Sequence, residues 1–194
     1  MMQRMRDAAE TLDLRPNPAI LLGAGGALAL VSAAFLPWPF AIASTVLGAL
    51  MIVGADVDAR TFLLPDTVTL GAAVAGIIAA PLLDLTDPWL AGVSAAARAL
   101  GCATVLALLR AGYAQIRQRE GLGFGDVKLA AAVGAWLPLD VIPLCFAIAT
   151  SAALVSIMIA HWRGCTIDRA TRLPFGAFLC PSLWVVFYAS ALSN

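Results

Sequence analysis

Val141-Ile-Pro-Leu-Cys145-Phe-Ala-Ile-Ala-Thr150-Ser-Ala-Ala-Leu-Val155-Ser-Ile-Met-Ile-Ala160 runs without a single charged side chain. About 20 such residues, at 1.5 Å each, make a helix about 30 Å long, the thickness of a bilayer's hydrocarbon core. The same texture recurs along the chain at roughly 18–36, 39–57, 66–83, 89–112, 126–137, 139–160 and 174–192. The fifth run is short because Pro138 and Asp140 interrupt it. A bilayer admits only helices or closed barrels, and apolar runs this long and continuous select helices. Composition agrees: of 194 residues, 61% are hydrophobic and 12% charged. Soluble domains carry about 45–50% and about 25%. The expected fold is all-α, a polytopic transmembrane helix bundle of about seven spans. Residues 1–16 are expected to form a cytoplasmic N-terminal tail, and 17–194 the transmembrane domain.

Basic residues set the orientation. With the N-terminus inside, Arg4, Arg6, Arg15, Arg60, Arg110, Arg117, Arg119, Lys128, Arg163, Arg169 and Arg172 all fall on the inner side. The turns at 36–39, 84–88 and 138–140 hold none, and Arg98 alone lies well inside a span. This predicts N-in and C-out across a cytoplasmic (inner) membrane. A charged start and a small-residue exit at Ser32-Ala33-Ala34 also fit a cleavable signal, but Asp7, Glu10 and Asp13 oppose it. Its removal would leave six spans. Twelve Lys and Arg balance twelve Asp and Glu, so no basic excess points to nucleic acid. Cys102, Cys145, Cys165 and Cys180 form no C-x-x-C pair and no metal cluster. Trp38, Trp89, Trp136 and Trp162 sit near span ends, where an aromatic belt is expected.

An Asp at mid-bilayer costs roughly 2.5–3.5 kcal/mol, so acids near spans need a reason. Asp84, Asp87 and Asp140 mark solvated outer turns. Asp56, Asp58, Asp66, Glu120 and Asp126 all map to the inner side. Two segments carry them: Gly54-Ala-Asp56-Val-Asp58-Ala-Arg60-Thr-Phe-Leu-Leu64-Pro-Asp66, and Glu120-Gly-Leu-Gly123-Phe-Gly125-Asp126-Val-Lys128-Leu129. The alternate glycines allow another chain to approach closely. Asp126 also fits a plain N-cap at the threshold of a helix. Against that stands Asp58, a second carboxylate at matching depth. Two such groups can divide the protonated and ionised roles, activating water without metal or cofactor.

At these residues the chain resembles the type IV prepilin peptidase family, membrane aspartyl proteases of the G-x-G-D kind. The match runs through Asp58-x-Arg60, Leu64-Pro-Asp66 and Glu120-Gly-Leu-Gly123-Phe-Gly125-Asp126-Val-Lys128-Leu129, then Leu173-Pro-Phe-Gly176-Ala177-Phe178. The resemblance implies an endopeptidase that removes the basic leader from prepilin or pseudopilin precursors, with Asp58 and Asp126 catalytic and no cofactor. Gly123, Gly125, Lys128, Asp66 and Glu120 are expected as motif-support or substrate-binding positions, with Glu120 and Asp66 suited by charge to a basic leader; the family pattern leaves the roles of Asp56 and Asp66 open. Ala177 stands where the family often has proline. Long bifunctional members carry paired C-x-x-C motifs and also methylate, so this chain resembles the short, peptidase-only form.

From the helix ends alone, Asp126 reads as the base and Asp58 as the acid, with Arg60 opposing that division. Arg98 either pairs with a buried carboxylate or snorkels outward. Two other classes fit less well: a proton-coupled transporter or channel, whose acids belong at the midplane, and a non-catalytic pilus or secretion assembly subunit. Reporter fusions after Arg60, Arg119 and Arg169 should read cytoplasmic, and fusions near Asp87 and Asp140 external. An external signal after Arg119 would put Asp126 in the wrong compartment and sink the site.

Overall fold

The computed structural model describes residues 17–117, 123–163 and 174–193. Within them the chain forms seven helices: α1 (Pro18–Phe35), α2 (Trp38–Thr61), α3 (Asp66–Leu83), α4 (Pro88–Arg117), α5 (Phe124–Trp136), α6 (Ile142–Trp162) and α7 (Gly176–Ser193). Each apolar run of the sequence becomes one helix. Several start on proline in the first turn, where a missing N–H leaves nothing unsatisfied. Six are long and apolar enough to cross a membrane. The seventh, α5, has 13 residues and a length of about 20 Å, too short to span.

Two boundaries differ from expectation in ways that matter. Helix α2 continues past residue 57 to Thr61, where Phe62 turns left-handed (φ 56°) and donates its N–H to the Asp58 carbonyl at 2.9 Å. Asp58 is therefore inside a helix, about one turn from its end. Helix α5 begins two residues earlier than expected, so Asp126 is its third residue and Gly123 its N-cap. Cross-contacts collect the helix ends. The Asn17 N–H donates to Asp56 Oδ2 (3.0 Å) and Lys128 Nζ meets Asp66 Oδ1 (2.6 Å). These place the starts of α1, α3 and α5 and the end of α2 at one end of the bundle.

Helix α5 is the buried centre. Val127, Leu129, Ala130, Ala132, Val133, Ala135 and Trp136 are all buried, and the helix packs chiefly against α3 and α4. In lipid, such packing depends on close approach rather than on water exclusion. A Cβ on Gly134 would strike the Arg98 backbone of α4. One on Gly76 of α3 would lie 2.8 Å from Trp136 Cδ1. That glycine seats the Trp136 ring, whose Nε1–H donates to the Ala72 carbonyl at 2.7 Å. Trp136 is thus a core residue and not part of an aromatic belt. Trp38, Trp89 and Trp162 are exposed at helix ends, as a belt requires.

Arg98 pairs with no carboxylate among the described residues, and its side chain leans back toward the outer end of α4, as snorkelling requires. Its Nε–H donates to the Gly134 carbonyl (3.2 Å) and its Nη1–H to Ser94 Oγ (3.0 Å). In a continuing helix that carbonyl would accept from residue 138, but Pro138 has no N–H. The guanidinium therefore serves the end of α5. On the other side, Ser32 Oγ and Ser44 Oγ share a hydrogen bond of 2.9 Å, and Trp184 Nε1 donates to Ser44 Oγ at 3.0 Å. These bonds join α1, α2 and α7.

Gly134→Ala should lower stability in detergent by about 1–3 kcal/mol, because backbone rather than a mobile side chain must move. Gly101→Ala, whose Cβ meets nothing within 4 Å, should be neutral or slightly stabilising, as alanine favours helix. Equal thermal shifts for the two would contradict the close packing of α4 on α5.

Candidate active site

Asp56 and Asp58 are two residues apart on α2, about 200° around its axis, so one helix cannot present both to one site. They part accordingly. Asp56 pairs with Arg60 Nη2 at 2.7 Å, also accepts from Arg60 Nε (3.3 Å), and takes the Asn17 N–H. Arg60 is thus engaged by Asp56, contrary to the expectation that it would act on Asp58. Asp58 points the other way and is 5% exposed.

Its partner is a helix end. The Asp58 Oδ2 accepts the Ala177 N–H at 2.8 Å, with the Gly176 amide beside the same carboxylate. Both amides belong to the first turn of α7, where N–H groups lack partners within their own helix. A carboxylate at a helix N-terminus is favourable through hydrogen bonds and dipole together. Gly176 is required by this approach: a Cβ there would lie 2.9 Å from Asp58 Oδ2 and 2.7 Å from Leu64 Cδ1. The Pro174-Phe-Gly176 stretch is therefore part of the site through its backbone. Sequence reasoning cited it only as a family signature and did not name Gly176 or Ala177 as site residues. Ala177, where the family often has proline, supplies an N–H that proline lacks.

Asp126 enters from α5. It is the third residue of that helix, and its Oδ2 turns back toward the N-cap, where a Cβ on Gly123 would lie 3.3 Å from it. Gly125 has a steric reason: a Cβ there would lie 3.0 Å from Leu64 Cβ. The side chain of Leu64 thus fills the space between Gly125 and Gly176, on the two segments that bear or hold the aspartates. Asp58 and Asp126 come within electrostatic range of each other, and Cys180 lies within range of both.

The supporting residues divide. Lys128 binds Asp66 and places its Nζ 5.1 Å from the Phe124 ring centroid, while the Arg110 guanidinium lies 5.5 Å from the same ring. This cluster ties the starts of α3 and α5 together beside the aspartates. Glu120 lies outside the described residues.

Comparison with known proteins follows this geometry. Residues 45–159, which include both aspartates, match the family model of the type IV leader peptidase family. The chain belongs to that family. A "Prepilin leader peptidase/N-methyltransferase" of Burkholderia pseudomallei is 34% identical over 162 residues, 84% of this chain and 51% of the relative. One of Xanthomonas campestris is 34% identical over 146 residues, 74% of this chain and 48% of the relative. "Leader peptidase HopD" of Escherichia coli is 30% identical over 159 residues, 80% of this chain and 96% of the relative. The chain spans about half the length of the bifunctionally named leader peptidase relatives. No solved structure matches. Six long apolar helices and the leader peptidase family together make this a multi-pass membrane protein.

The α7 contact separates two substitutions at one residue. Asp58→Asn keeps an oxygen for the Ala177 N–H and should unfold near the wild-type temperature. Asp58→Ala leaves that donor unpaired and should be less stable by about 1–3 kcal/mol. Identical unfolding curves in detergent would show that Asp58 does not hold α7.

Proposed function

We propose that the chain is a membrane-embedded aspartyl endopeptidase that cleaves the basic leader from prepilin or pseudopilin precursors. The observation that carries this is the meeting of Asp58 and Asp126, from separate helices, at one end of an apolar bundle. We propose that this end faces the cytoplasm across the inner membrane, with the N-terminus inside and the C-terminus outside; the distribution of Lys and Arg supports this. Precursors present a basic leader followed by an apolar helix. Such a substrate sets its cleavage point at the inner surface, which is the face proposed for this pair.

The chemistry needs one proton shared between two carboxylates. The ionised member takes a proton from water as its oxygen attacks the scissile carbonyl carbon. The protonated member gives its proton to the carbonyl oxygen. Collapse of the tetrahedral intermediate then breaks the C–N bond: the carboxylate that took the water's proton gives it to the leaving nitrogen, and a hydroxyl of the intermediate returns its proton to the other carboxylate. Helix dipoles do not divide these roles as simply as the end of α2 suggests. Asp58 also faces the N-terminal end of α7, so each carboxylate lies at a positive helix end. The two titrate as a unit.

Lys128 and Asp66 are proposed to hold α5 against α3, with Gly123 and Gly125 leaving room for an extended substrate backbone. Glu120 and the exposed side of Asp66 are proposed to attract the basic leader. Of the two activities in the relatives' name, peptidase alone is proposed here, because the four cysteines form no C-x-x-C pair.

Asp58→Asn and Asp126→Asn should each abolish cleavage of a prepilin at normal abundance and insertion, since asparagine keeps size but cannot ionise. Asp87→Asn and Asp140→Asn should leave cleavage intact, and Asp56→Asn should reduce it less than Asp58→Asn. Activity should persist in chelator and after serine or cysteine blocking reagents. Full cleavage by Asp126→Asn would falsify the mechanism.

A further inference from the structure

At the end of the bundle remote from the aspartates, a cavity of about 440 Å³ opens between α3, α4, α5 and α7. Phe40, Trp136 and Phe187 give it apolar walls, and Arg98, Ser94 and Asp84 are its polar lining residues of interest. Arg98 is ten residues into α4, about 15 Å along its axis. Helical side chains lean toward the N-terminus, and the bond to Ser94 Oγ, one turn back, shows that lean. The guanidinium is thus carried toward the cavity mouth. It is a permanent charge among apolar walls, and its two partners, the Gly134 carbonyl and Ser94, are neutral.

Asp84 lies at the end of α3 and accepts the Thr86 N–H at 3.0 Å. The ion pairs of the described residues near the other end, Asp56–Arg60 and Asp66–Lys128, involve neither charge. One cavity therefore holds a cation on its wall and an anion at its rim, and no ion pair joins the two. A ligand with a phosphate and a separated ammonium group satisfies both. Arg is suited to phosphate by its planar array of donors, and the volume falls in the range of small-ligand sites. Exposed Leu85 and Trp89 at the same end mark it as a membrane-interface region.

We propose that this cavity binds the headgroup of a zwitterionic phospholipid of the ethanolamine type, with its phosphate on Arg98 and its ammonium on Asp84. The site is independent of the peptidase reading. The test is thermal unfolding of the purified chain in a maltoside detergent with short-chain phosphatidylethanolamine, short-chain phosphatidylglycerol or inorganic phosphate. Phosphatidylethanolamine should raise Tm saturably by about 5 °C, phosphatidylglycerol by less, and phosphate not at all. Arg98→Met should lose the effect. Because Arg98 also serves the end of α5, Ala91→Phe provides a second variant that fills the cavity and leaves Arg98 in place. It too should lose the effect. Asp84→Asn should make the two lipids equal. Equal shifts from both lipids in the wild type would overturn the zwitterion. A matching shift from phosphate would assign the cavity to free phosphate and overturn the lipid. No shift, or one that survives in Ala91→Phe, would overturn the site.

Discussion

The hydrogen bond from the Ala177 N–H to Asp58 Oδ2, 2.8 Å long and closing 119 residues of chain, is the contact on which the candidate site depends. A buried carboxylate needs donors, and the first turn of a helix has N–H groups to give. Joining the two meets both needs and fixes α7 against α2 at the level where Asp58 leaves its helix. Everything near it then has a sterically defined place. Leu64 fills the gap beside Gly176, Gly125 lets α5 approach Leu64, and Asp126 follows within range of Asp58.

The same logic runs through the fold. In lipid, apolar side chains gain nothing by leaving their solvent, so helices meet where small residues and polar groups allow. Gly76 admits the Trp136 ring and its bond to Ala72; Gly134 admits the α4 backbone, and Arg98 then replaces the donor that Pro138 lacks. The centre is consequently α5, a helix too short to span, surrounded by longer ones. The C-terminal part of this short helix is the buried one, so its N-terminal turn, with Asp126 half-buried, is left at the end of the bundle.

Much of this was legible in the sequence because hydropathy speaks directly to span number, and the glycine-rich acid segment is chemically unusual. All seven helices follow the apolar runs, and the family is as the motifs suggested. What the sequence hid was tertiary. The continuation of α2 to Thr61 depends on a left-handed Phe62, a residue with no turn signature. Trp136 reads as interfacial because it stands before a turn, yet Gly76, sixty residues away, buries it. Arg98 reads as a snorkelling cation, but its bond to the Gly134 carbonyl, which Pro138 leaves without a donor, depends on a residue 40 positions away. The role of Gly176 and Ala177 was carried by backbone amides, which leave no mark in residue chemistry. The pairing of Asp56 with Arg60 was open to detection as an i, i+4 pair.

The central claim is that Asp58 and Asp126 act as one catalytic unit. The most direct measurement is kcat/KM for prepilin cleavage by wild type, the two single asparagine variants, and the Asp58→Asn/Asp126→Asn double variant. Groups that share one proton fail together, so the double variant should be no slower than either single one. Losses that multiply, with the double variant slower than each single by the other's full factor, would show two independent residues and contradict the account.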